Sequence, residues 1–287
     1  MKLVSFVIPC YHSAHTIGTV VEKIRRTMPT LPDYDYEIVL VNDCSPDDTF
    51  AVISALARED GRITAVTDRD MQFDQENDAA EAYVSPGFVE IHSHGADFLD
   101  GSAEAFLSAA EKHARHGVTT LIPTATSAEL SGIVTLDRML EEANARNNHG
   151  ADMPGLHLES PYFAYGLRGA QNPRFLRNPR PEEYMTILES CRHILRWSVA
   201  PELPGALDPG RELKRRRILA AIGHSDAGYA EVKAAWEAGY THVTHLYSGM
   251  SSLHYRNAYR YVGVVESAYL IDGMTVEIIA DGKHLPA

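Results

Sequence analysis

Five side chains spread along this sequence could hold a metal ion between them. The run Phe88-Val89-Glu90-Ile91-His92-Ser93-His94 is an apolar stretch closing on His-x-His. On an extended chain residues two apart point the same way, so both imidazoles can face one ion. Glu159 ends the run GLHLE, His224 follows ILAAIG, and His245 ends HVTH. Four imidazoles and a carboxylate are the nitrogen and oxygen donors that zinc and related divalent metals prefer. A glutamate shared by two ions would make a two-metal hydrolytic site, where a coordinated water loses its proton near neutral pH. One histidine at a strand end is an ordinary structural residue; the recurrence at successive strand ends is what points to a site. His157, beside Glu159, fits either a supporting place or the core. His113, His116, His149 and His193 fall on helices or loops and are expected in solvent.

These residues meet only if the chain supplies strands that end side by side. Beyond residue 82, apolar runs at 87–91, 119–123, 155–158, 196–200, 218–223, 242–245 and 275–280 read as strands. Helical patterns separate them at 103–116, 136–146, 181–191, 210–217 and 229–238. Repeated βα units predict an α/β fold, an incomplete (β/α)8 TIM-type barrel of about seven strands. Each of the five candidates then sits at the C-terminal edge of a strand, the rim where such barrels build their active sites.

The N-terminal part follows another pattern. Apolar runs at 4–8, 37–41 and 63–66 alternate with helical patterns at 16–28 and 49–59. The first helix sets Ile17, Val20, Val21 and Ile24 against Lys23, Arg25 and Arg26. This predicts a truncated Rossmann-like βαβαβ unit over 1–66. The stretch 67–81, TDRDMQFDQENDAAE, is acidic and without period, and reads as a linker to a second region at 82–287.

Composition narrows the class. The 287 residues are 45% hydrophobic and 23% charged, enough to bury a real core. A net charge of −13 argues against nucleic acid or an anionic membrane as the main partner. Cys10, Cys44 and Cys191 show no paired spacing, as in a reducing cytosol. The N-terminus reads as a strand rather than a signal peptide, and no apolar run nears the ~20 residues of a membrane span. A cytoplasmic protein is expected.

Over about 82–287 the stretches VSPGFVEIHSHGADFLDG, GLHLESPYF with RGAQNPRF, APE, IGHSDAGYAEV, THLYSGMSSLHYR and IADGKHLP resemble, in order, the amidohydrolase superfamily, most closely the N-acetylglucosamine-6-phosphate deacetylases. The resemblance implies metal-dependent deacetylation of N-acetylglucosamine 6-phosphate or a similar acylated amino sugar, with one or two ions of zinc or iron. His92 and His94 would bind one ion, His224 and His245 another, and Glu159 would bridge them or serve the principal site. His284 matches a histidine that touches the sugar. Arg256 matches an arginine that grips the 6-phosphate, often from the neighbouring subunit of a homodimer; a guanidinium fork pairs two phosphate oxygens at once. Three stretches depart from the family pattern. Ser248-Gly249 replaces Asn-Ala or Asn-Gly, Gln171 replaces a substrate-touching histidine, and Arg256-Asn257-Ala258-Tyr259 replaces a REPG-like run. The superfamily's acid–base aspartate lies at the end of an eighth strand, and Asp281, ahead of His284 on the seventh, is not that residue. A C-terminally truncated barrel with turnover reduced on the order of 10²–10⁴ is therefore expected.

Residues 1–66 resemble a different family. VSFVIPCYHSAHTIGTVVEKI and YEIVLVNDCSPDDT are similar to the start of family 2 nucleotide-sugar glycosyltransferases, which implies a UDP-sugar site with Asp43 at the base. Asp47 and Asp48 would equally suit the start of a helix whatever its function. That family's later Asp-x-Asp motif is matched in spelling alone by 68–70, inside the linker. A UDP-sugar transferase and an inactive fusion or gene fragment stand as the alternative readings.

Overall fold

Apolar runs near the N-terminus pair as strands. β1 (Lys2–Cys10) and β2 (Tyr34–Asn42) lie parallel, in register from Lys2–Tyr34 to Cys10–Asn42. Helices α1 (Ile17–Thr27) and α2 (Thr49–Ala57) follow these strands, and the core of the described part is Cys10, Ile17, Val21, Leu40 and Ile53. The computed structural model describes residues 2–10, 12–31, 34–42, 45–57, 87–94, 102–126 and 128–285. It divides into two units, Met1–Tyr83 and Val84–Ala287. The expected strand at 63–66, the linker 67–81 with its 68–70 motif, and Asp43 lie outside the described residues.

At the turn into α2, Asp47 Oδ1 accepts hydrogen bonds from Ser45 Oγ (2.5 Å), Thr49 Oγ1 (2.5 Å) and Thr49 N–H (3.1 Å). Those hydroxyls hold its carboxyl below the usual carboxylate range. Ser45 and Thr49 in turn accept the backbone N–H groups of His12 (2.8 Å) and Ser13 (2.7 Å), tying the loop after β1 to this turn. Asp47 thus organises an Asx-type turn ahead of the helix.

The second unit is a parallel sheet of seven strands: β3 (Phe88–Ser93), β4 (Val118–Ala125), β5 (Leu156–Glu159), β6 (Ile194–Val199), β7 (Leu219–Ile222), β8 (Tyr240–Val243) and β11 (Thr275–Val276). Neighbours follow chain order from β3 to β8, with β11 beside β8. Between them run α3 (Ala103–Ala114), α4 (Leu130–Asn144), α5 (Pro181–Ser190), α6 (Leu207–Arg216) and α7 (Tyr229–Ala238). The sheet curls until its two outer strands meet through side chains: His92 of β3 lies 2.8 Å from Glu277, the residue after β11. This is the expected α/β barrel architecture with seven strands.

Large side chains fill the space between sheet and helices. Trp197, Tyr162, Tyr240, Phe106, Leu121, Ile133 and Leu140 are fully buried. Trp197 donates its indole N–H to Ser160 O (2.8 Å) and stacks on Tyr162 at 5.6 Å. Tyr240 fits because α6 carries Gly210 opposite it, where a Cβ would lie 2.2 Å from the ring. Helix α7 is closed at its start by Glu231, whose carboxylate accepts Gly228 N–H (2.7 Å), and at its end by Gly239 at φ 112°.

Several boundaries differ from the sequence expectation. Helix α4 begins at Leu130 rather than 136, because Gly132 and Ser131 blur a periodicity that Ile133 carries into the core. The strand expected at 275–280 is a ladder over Thr275–Val276 only. Glu277 extends the contact, its N–H donating to Val243 O (3.1 Å) and its carbonyl accepting Leu246 N–H (2.7 Å). A hairpin of β9 (His254–Arg256) and β10 (Tyr259–Tyr261), and helix α8 (Val264–Leu270), were not anticipated. Among the described residues no helix is long and apolar enough to cross a membrane.

Candidate metal centre

The strand ends deliver their side chains to one place. His92 lies in β3 and His94 just beyond it, Glu159 is the last residue of β5, and His224 and His245 follow β7 and β8. The last two hold left-handed backbone, φ 49° and 33°, which is uncommon for residues with a Cβ and costs on the order of 1 kcal/mol each. A neighbouring loop holds the first and a local turn the second. His224 O accepts Ala164 N–H (2.9 Å) and His245 O accepts Ser248 N–H (2.9 Å).

Glu159 is the centre of the cluster and is 2% exposed. Its Oε2 lies 2.8 Å from His94 Nε2. Its Oε1 lies 2.9 Å from His245 Nε2, 3.1 Å from His224 Nε2 and 3.5 Å from His92 Nε2. The nitrogens also crowd one another, with 3.0 Å between the Nε2 atoms of His92 and His94 and 3.2 Å between those of His224 and His245. Two overlapping groups result, His92–His94–Glu159 and Glu159–His224–His245, with ligand atoms within 4.8 Å of one another in each. The imidazole of His94 is 39% exposed against 7% for that of His245, so the cluster opens to solvent at His94.

Polarity tests whether a cation fits. Leu167 O accepts from His224 Nδ1 (2.8 Å), and Thr124 O is 3.3 Å from His94 Nδ1. A carbonyl can only accept, so each of these rings turns an Nδ1–H outward and, in its neutral form, presents a lone pair at Nε2. Those lone pairs converge on a carboxylate, an all-acceptor arrangement that a divalent cation balances. The outer partners are of the kind that orient metal-ligating histidines. Without a metal the cluster draws in a proton instead. Burial opposes charge on His92, but Glu159 and Glu277 outweigh it and push its pKa up to about 9. Burial likewise raises Glu159, yet the surrounding imidazoles hold its carboxyl well below the usual range. The donor set therefore fits a divalent metal.

An amidohydrolase family model matches residues 83–286. The chain belongs to the amidohydrolase family. Among characterised amidohydrolases, the N-acetylglucosamine-6-phosphate deacetylase of Vibrio furnissii is 33% identical over 79% of this chain and 57% of its own length. The N-acetylgalactosamine-6-phosphate deacetylase of Escherichia coli O157:H7 is 31% identical over 77% and 56% respectively. The chain thus spans about half the length of the curated relatives it matches. In structure it superposes on a mutant N-acetyl-D-glucosamine-6-phosphate deacetylase from Mycobacterium smegmatis, solved in complex with N-acetyl-D-glucosamine-6-phosphate. The TM-score is 0.63 at 30% identity, over 70% of this chain and 51% of that one. A second model, glycosyl transferase family 2, matches residues 5–70.

The remaining candidates of this amidohydrolase scatter more widely. Gln171 is buried and donates its amide N–H to Glu159 Oε2 (2.9 Å), so it touches the cluster itself. Gly249, at φ 60°, backs His224: a Cβ there would come within 3.0 Å of Nδ1. Ser248 sits half-buried in the same turn. His284 is at the surface, with Nδ1 2.9 Å from Asp281. Arg256 belongs to β9, and its side chain lies outside the described part. Among the histidines read as solvated, His113 is half-buried with Nδ1 2.8 Å from Ala109 O, and His193 pairs with buried Asp137 (3.2 Å). His157 is fully buried between Thr124 Oγ1 (3.2 Å) and Ser198 Oγ (2.7 Å), and burial with nearby Arg196 keeps it well below its ordinary pKa.

Two interior residues escaped the sequence reading. Glu277 and Arg196 form a buried ion pair directly beneath the cluster. The signal was there: a charged residue at an inward position of an apolar strand, in ILRWSV and again in TVEII.

Proposed function

We propose that this amidohydrolase removes the acetyl group of N-acetylglucosamine 6-phosphate or a close acylated amino sugar. The observation that carries the reading is the convergence of four imidazole Nε2 atoms on the one carboxylate of Glu159. His92 and His94 would hold one ion and His224 and His245 another, with Glu159 common to both. A bound divalent ion supplies Lewis acidity, lowering the pKa of water and polarising an amide carbonyl. Gln171 keeps Glu159 aligned by donating its amide N–H to Oε2. The open side at His94 would admit the acetamide, and Ser248 and Gly249, whose turn backs His224, are read as further substrate contacts. His284 and Arg256 are read as contacts to the sugar and to the 6-phosphate, the latter within a homodimer. Zinc or iron as the ion, and the cytoplasm as the compartment, complete the reading.

The test is acetate release from N-acetylglucosamine 6-phosphate with zinc or ferrous iron supplied, alongside the metal content of the purified protein. Acetate release that requires the metal, with metal content lost in His224→Ala, is expected. A protein that retains no divalent ion, or a His224→Ala variant that retains as much as wild type, would refute the assignment. The match of residues 5–70 to glycosyl transferase family 2, with β1 and β2 parallel, supports a second reading for the first unit, a UDP-sugar site. Saturable UDP binding that disappears in Asp43→Ala would support it, and no binding by wild type would remove it.

A further inference from the structure

The carboxylate of Glu277 is the hub of the barrel interior. Its side chain is 8% exposed and bonds to three residues. Oε1 lies 2.8 Å from His92 Nδ1 and accepts Arg196 Nη2–H (2.5 Å) and the backbone N–H of His245 (3.1 Å). Oε2 accepts Arg196 Nη1–H (2.6 Å), and His242 Nε2 stands 3.7 Å away. Arg196 continues the network to Thr244 Oγ1 (2.7 Å), which is bonded to Ser198 Oγ (2.7 Å). From Ser198 it passes through His157 to Thr124 Oγ1, which accepts Ser93 N–H (3.1 Å). The chain of bonds therefore leaves His92 at its imidazole and returns to the residue beside it, having crossed β6, β5 and β4.

We propose that Glu277 is a positioning residue of the metal centre. Clamped by Arg196, it fixes the His92 ring with Nδ1 as donor, so that Nε2 is the nitrogen presented to the ion. Through the His245 N–H it sets a ligand of the second group from the same carboxylate. This role rests on the metal-centre reading above. A carboxylate that merely neutralised Arg196 would need neither contact, since the bidentate pair alone balances the two charges. The geometry has both, reaching from the one carboxylate to a residue of β3 and to one that follows β8.

The experiment is a cobalt(II) titration of the full chain, followed by visible absorption and by competition with a chromophoric chelator. Loss of an orienting partner to a ligating histidine costs roughly 10- to 100-fold in metal affinity, and Glu277→Gln should fall in that range with altered absorption bands. In a His92→Ala background the same substitution should change affinity less than about threefold, because the ring it positions is gone. Equal affinity and spectrum in Glu277→Gln, or an undiminished loss in the His92→Ala background, would overturn the proposal. Should Glu277→Gln fail to fold, long-range proton–nitrogen NMR of the zinc-loaded wild type reads the ring directly. A proton on His92 Nδ1 is the expected result, and a proton on Nε2 overturns it. A wild-type chain that takes up no cobalt brings down the metal-centre reading, and this inference with it.

Discussion

Raising the pH of metal-free protein from 6.5 to 9 is expected to destabilise the second unit, because a proton on His92 stands where a cation would. His92 has a folded pKa of about 9 against an ordinary 6.5. A raised folded pKa gives stability that is complete below the unfolded value and is lost as pH climbs through the folded one. At about 1.4 kcal/mol per pKa unit the ceiling is about 3 kcal/mol. Solvent at the open side of the cluster, where His94 is 39% exposed, screens part of this, leaving about 2 kcal/mol. The assay is urea unfolding of chelator-treated protein at several pH values, read by tryptophan fluorescence. Both tryptophans, Trp197 and Trp236, belong to the second unit, so the first does not contribute. Zinc should flatten the profile, and its affinity should rise about tenfold per pH unit over this range as one proton is displaced. His92→Asn should remove the alkaline loss. A metal-free wild type equally stable at both ends, or a His92→Asn variant that keeps the drop, would refute the reasoning.

Acid should act in the opposite sense. The carboxyls of Glu159 and Glu277 are held below the ordinary 4.5, so their contribution is present above that pH and is lost as pH falls, visible as an earlier acid unfolding than in Glu159→Gln. Gly249→Ala places a methyl group against His224 at a backbone angle that disfavours it, and should weaken zinc binding roughly tenfold in a chelator competition. Trp197→Ala empties the middle of the core and frees Ser160 O, costing about 3–5 kcal/mol by urea unfolding.

The sequence made the rim of the barrel legible and left its interior obscure, for a physical reason. His92, His94, Glu159, His224 and His245 are marked by local context: each ends an apolar run, and a strand end has one place to go in a parallel sheet. Glu277 is defined by partners far away in the chain, His92, Arg196 and His245, and only the curl of the sheet brings them together. Gln171 was aligned with a substrate contact, but its burial and its bond to Glu159 come from the loop after β5, which has no periodicity to read. Helix α8 is seven residues long, too short to show a repeat, and owes its start to Glu266 accepting Gly263 N–H (3.1 Å). Tyr255 and Tyr259 are largely exposed, so the hairpin of β9 and β10 shows no alternation of buried and exposed positions.

The polar interior itself argues for the site above it. Burying an arginine and a glutamate costs several kcal/mol of hydration each, and their mutual attraction repays that only when every remaining group is bonded. Here the repayment is incomplete: Arg196 Nε and His242 Nε2 are buried without a hydrogen-bond partner. A well-packed apolar pair of similar size would cost less, as the leucines, valines and alanines elsewhere in these strands do. What an apolar pair would lack is an acceptor for His92 Nδ1 and for the N–H of His245. Within this barrel the ion pair is explained by the direction it gives to those two ligands, and stability alone does not account for it. The consequence is measurable: Arg196→Met combined with Glu277→Leu should be no less stable than wild type in the metal-free state at pH 9, where His92 has lost much of its charge, while binding zinc at least about tenfold more weakly. A double variant that kept full zinc affinity would show that the imidazoles need no carboxylate beneath them.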